Sequence, residues 1–62
     1  MNNEEKAIIY EQCIRENDKL QRENSKLKSE YATNIPQHIQ NIIDKNNARI
    51  AELVGMVESL FR

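Results

Sequence analysis

Few side chains in this chain of 62 residues could do chemistry, and they lie far apart. Cys13 is the single thiol and His38 the single imidazole. A reactive thiolate needs a neighbouring cation, a helix N-terminus or a base. Cys13 falls instead on an apolar stripe, where a thiol acts as a small buried hydrophobe. His38 stands near the start of the second expected helix, where the positive end of the dipole disfavours a protonated ring. It has no second histidine and no nearby cysteine with which to share a metal ion, so it reads as a solvated surface residue. A single glycine leaves no phosphate-cradling loop, and no nucleophile, base and acid can be assembled into a set. Two thin helices also enclose no pocket of catalytic size. The chain is expected not to be an enzyme and to hold no metal or cofactor.

The one charged motif is Arg15, Lys19, Arg22 and Lys26. Their spacing of four, three and four puts them on one outer face of a helix. Such a ridge could touch phosphates, which makes an RNA- or DNA-binding regulator the alternative reading. Acids interleave at helical pair spacing, however: Glu11 with Arg15, Asp18 with Arg22, Lys19 with Glu23, and Lys26 with Glu30. No aromatic residue stands in the stripe to stack on bases. With a net charge of −1 there is no bulk pull toward nucleic acid or membrane. A solvated face laced with ion pairs is the expectation.

Composition bounds the rest. One cysteine makes no internal disulfide, and a core of this size usually needs a partner or self-association. One glycine and one proline leave little turn punctuation, while a charged fraction of 31% suits long polar helices. No apolar run approaches a membrane span. The polar, acidic start Met1-Asn2-Asn3-Glu4-Glu5 does not resemble a secretory signal, so a cytoplasmic location with Cys13 reduced is expected. The apolar stretch from Leu53 to Phe61 lacks the basic polar face of a membrane-lying helix. Richness in Asn, Ile, Lys and Glu suggests an AT-rich coding genome, as in low-GC bacteria and their phages.

Two elements must carry these residues. Over about residues 4–32, Tyr10, Asn17, Asn24 and Tyr31 take heptad position a, and Cys13, Leu20 and Leu27 take d. Asn2 with Glu5 makes a box-like cap. A turn is expected at about residues 33–35, with Asn34 and Gln37 as a second cap around Pro36. Helix two is expected over about residues 35–61, with Ile43, Ile50 and Val57 at a and Ile39, Asn46, Leu53 and Leu60 at d.

Folded about the proline segment, the two stripes meet in layers: Tyr31 with Ile39, Leu27 with Ile43, Asn24 with Asn46, and Leu20 with Ile50. Asn17 then meets Leu53, Cys13 meets Val57 and Tyr10 meets Leu60. The residue numbers in each pair sum to 70. Asn24 and Asn46 can satisfy each other in that register. Asn17 cannot be satisfied by Leu53 and needs a backbone carbonyl, a water or a second chain. The competing arrangement is a straight parallel rod, in which Asn at a fixes register and Glu23 pairs with Lys28 between chains. Two Asn and two Tyr at a make a poor zipper, so the hairpin is preferred.

A hairpin buries one stripe of each helix. Ile42, Val54 and Phe61 lie beside that seam, and Ala48, Ala51 and Gly55 form a small-residue track; together they are the expected oligomer or partner interface. The predicted fold is all-α: one antiparallel, coiled-coil-like hairpin over 1–62, self-associating as a homodimeric four-helix bundle. The expected function is protein–protein interaction by a small regulatory accessory factor, similar in type to many phage and mobile-element products. The architecture is also similar to the plasmid copy-control RNA-binding protein, a dimer of helical hairpins, with which the chain shares no identifying motif. A structural assembly or scaffolding role is the third reading.

Overall fold

In the computed structural model, which describes residues 1–62, two helices run side by side and no strand is present. Helix α1 spans Asn3–Glu30 and α2 spans Gln37–Leu60. The chain is therefore an antiparallel helical hairpin. It is a rod of 47 × 14 × 13 Å, with a radius of gyration of 14.4 Å. A compact globule of this length would have a radius of roughly 11 Å, so nearly all packing is between the two helices.

The start of α1 follows from its first residues. Asn2 is extended and its Oδ1 accepts from the Glu5 backbone N–H at 2.8 Å. This satisfies one of the donors that a helix N-terminus leaves free. Glu4 and Glu5 complement the dipole in the first turn. The end comes at Glu30, earlier than the expected residue 32, and the Tyr31 N–H closes the last turn on the Leu27 carbonyl at 3.0 Å.

The second cap differs from expectation. Asn34 makes no cap; Pro36 itself is the N-cap residue, extended at φ −61° and ψ 153°. Its carbonyl accepts from the Ile39 and Gln40 N–H groups, each at 3.0 Å. Proline disfavours helical backbone at the residue before it, so Ile35 stays outside and α2 opens at Gln37. The Gln37 side chain turns along its own helix and donates to Asn41 Oδ1 at 2.8 Å. The connection thus covers residues 31–36, longer than the predicted turn.

Seven residues are buried: Cys13, Asn24, Ile39, Ile43, Asn46, Leu53 and Leu60. Each lies at an a or d position of the stripes described above. Leu20, Leu27, Tyr31, Ile50, Val57 and Asn17 are half-buried between them. Tyr10 departs from the seam expectation. It is 42% exposed, its ring meets Phe61 edge-to-face with centroids 5.8 Å apart, and it borders one cleft together with Leu60 and Phe61.

Candidate interaction surface

The middle of the seam is polar and hydrogen-bonded across the two helices. Asn46 Nδ2 donates to Asn24 Oδ1 at 2.9 Å and to Glu23 Oε1 at 2.7 Å. Asn24 Nδ2 donates in turn to Asn47 Oδ1 at 2.9 Å. The amide pair is sealed from water, whereas Glu23 and Asn47 cap it from either side. A buried network of this kind is sound only when its members are engaged; here Asn24 uses both its oxygen and its nitrogen, and Asn46 donates twice.

One flank carries a cross-helix ion pair that heptad reading at a and d did not anticipate. Arg49 grips Glu16 with two nitrogens, Nε to Oε2 at 2.6 Å and Nη2 to Oε1 at 3.2 Å. Its Nη1 reaches Glu52 at 3.0 Å. The hydrogen bonds from Arg49 hold the Glu16 carboxyl below the usual carboxylate range, and those from Glu16 and Glu52 raise the guanidinium. The signal was available: Glu16 and Arg49 both occupy g, and in an antiparallel pair g faces g.

Asn17 is the defect in the seam. Its Oδ1 is buried and has no hydrogen-bond partner. An acceptor left so costs about 1–3 kcal/mol. It lies in a groove of about 140 Å³ whose walls are Cys13, Ile14, Leu53, Val54, Val57 and Glu58. Ile14, missed by the a and d pattern, is 43% exposed on the rim and Val54 49% exposed opposite it. It sits at position e of α1, as Val54 does of α2, so the same flank reading would have found it.

The six residues expected at an interface do not share one side. Val54 and Phe61 lie at e, on the groove side, while Ile42 lies at g, roughly 100° or more around α2 from both. Ile42 borders Arg22, Glu23, Lys26, Leu27 and Glu30. Ala48, Ala51 and Gly55 are all exposed on the outer surface of α2, and a Cβ at Gly55 would meet nothing within 4 Å.

The basic stripe is exposed and mostly paired. Arg15 bridges Glu11 at 2.6 Å, Arg22 bridges Asp18 at 2.9 Å, and Lys26 stands 3.9 Å from Glu30. The expected Lys19–Glu23 pair does not form, because Glu23 turns inward to Asn46. His38 is exposed and Cys13 buried, and no group of three or more His, Cys, Asp or Glu side chains is placed to hold a metal ion. No helix is long and apolar enough to cross a membrane.

No protein-family model matches the chain, and neither the curated proteins nor the solved structures include a significant match.

Proposed function

We propose that this chain acts by binding rather than by turnover, as a protein–protein interaction module that self-associates into a dimeric four-helix bundle and serves as a small regulatory accessory factor. The observation that carries this reading is the amount of apolar side chain the hairpin cannot cover. Ile14, Val54, Met56 and Phe61 are each more than 40% exposed, while only seven residues are buried. Ile14 and Val54 rim one groove and Phe61 lies on the same flank, and exposed apolar groups set together in this way are what an interface provides. A core this thin also needs further burial to offset the entropy of ordering the chain.

Nucleic-acid binding draws less support, because three of the four stripe cations already face carboxylates one helical turn away. Enzymatic work draws none from the side-chain arrangement, which brings no nucleophile against a base. The test of the self-association reading is sedimentation equilibrium at micromolar concentration. The expected result is a mass that is a multiple of 7.3 kDa. A folded monomer throughout that range would overturn it.

A further inference from the structure

We propose that a second copy of this chain docks on the groove side of the open half, where Ile14 and Val54 form the rim, and that the Asn17 amides of the two copies hydrogen-bond to each other there. This rests on the self-association reading and names the face that performs it.

Three observations converge on that face. The first is charge. On the groove side the flanking e positions are Ala7, Ile14, Gln21 and Lys28 on α1 and Gln40, Asn47, Val54 and Phe61 on α2; Lys28, beside the turn, is the only charge among them, and Glu58 adds one on the groove wall. The opposite flank holds Glu16, Glu23, Glu30 and Arg49 at g, interleaved with Ile9, Ile42 and Met56. Covering that flank would strip water from the Glu16–Arg49 pair and from Glu23, at a desolvation cost that their mutual attraction need not repay. Covering the groove side strips water mainly from aliphatic carbon.

The second is area. The chain exposes 4868 Å². A compact monomer of 7.3 kDa would expose roughly 4,200 Å². The surplus, roughly 700 Å², is close to the about 800 Å² that each partner contributes to a standard interface.

The third is Asn17 Oδ1, which is buried in the groove without a donor. A two-fold axis through this layer sets each half-buried Asn17 near its own counterpart, and because Oδ1 has no accessible surface in the hairpin, the amide turns toward the rim to make the pair. An amide carries both an acceptor and donors, so one side chain type can satisfy itself across the axis in both directions. That self-complementarity is what an isologous interface demands, and it favours a second copy over an unrelated partner. Ala51, on the turn of α2 before Val54, keeps the approach low.

The experiment compares Val54→Asp with Ile42→Asp by sedimentation equilibrium. Both positions are exposed in the hairpin, so both variants should keep their helicity. Val54→Asp should weaken association by about a hundredfold, and Ile42→Asp should leave it nearly unchanged. If Ile42→Asp dissociates the oligomer and Val54→Asp does not, the face is wrong while self-association survives. If the wild-type chain is a folded monomer, both readings fall. Should Val54→Asp lose helicity, thiol labelling decides instead, in a Cys13→Ser background. A Val54→Cys thiol should react more slowly as protein concentration rises, and an Ile42→Cys thiol at a constant rate. Equal behaviour of the two would overturn the assignment.

Discussion

Asn46 donates to Asn24 Oδ1 across 2.9 Å in the middle of the seam, with the two residues only 7% and 3% exposed. The pair ties α1 to α2 at one register, because a slip of either helix would strand both amides among apolar side chains. Asn46→Leu leaves Asn24 Oδ1 buried without its donor, at about 1–3 kcal/mol, partly offset by the leucine's apolar burial. Replacing both by Leu removes the stranded acceptor. The double variant should therefore be more stable than the two single changes imply, with a coupling of about 0.5–3 kcal/mol in a denaturant double-mutant cycle. Strict additivity would show that the two amides do not communicate.

Neighbouring isoleucines test which face of α2 is inside. Ile43 is 2% exposed and Ile42 is 40% exposed. Ile43→Ala should cost about 2–5 kcal/mol, from lost burial and the cavity left behind. Ile42→Ala should stay within about 1 kcal/mol. Urea melts of the two variants should separate them clearly, and similar losses would contradict the register.

The hairpin itself is tested by covalent trapping. With Cys13→Ser, cysteines at Leu20 and Ile50 should form a disulfide within one chain on mild oxidation. Such a bond needs Cα atoms within about 4.4–6.8 Å, a separation that the hairpin register predicts for this layer and a straight rod does not. Product linked solely between chains on a non-reducing gel would instead indicate a rod.

Acid should weaken the Glu16–Arg49 clasp. Arg49 holds the folded-state carboxyl of Glu16 below its ordinary value. On acidification the unfolded chain therefore takes up this proton first, and protons favour unfolding. The contribution is complete at neutral pH and fades as pH falls through the ordinary carboxylate range toward the lowered folded value. Glu16→Gln should flatten that part of the stability–pH curve, and added salt should shrink the wild-type difference. An unchanged curve in Glu16→Gln would remove the ion pair from the account of stability.

The a and d periodicity was enough to place Cys13, Ile39, Ile43, Leu53 and Leu60 inside, because burial on a two-helix rod has only one direction to go. It also exposed the problem at Asn17 before any geometry was known. Legibility ended where residues are coupled sideways. Glu23 pairs with Asn46 rather than Lys19, since a buried amide rewards a carboxylate more than a solvated ammonium does. The second cap is not legible because Pro36 acts from outside the helix, so Asn34 before it is not recruited as a cap. The outer face defied pattern reading for another reason: Ile42 and Val54 look alike in sequence, and only the charges around each tell the two flanks apart.

The antiparallel hairpin has a mechanical consequence. Asn3 and Arg62 border the same cleft at the open end, so the two chain ends leave the rod together. Tension applied through them loads one layer at a time, rather than shearing all layers at once. The Tyr10–Phe61 contact parts first, then the aliphatic layers around Cys13, until the opening reaches Arg49 and the asparagines near the middle. The rod should peel like a zip at low force, with a pause at its centre, where the remaining half still holds the bend.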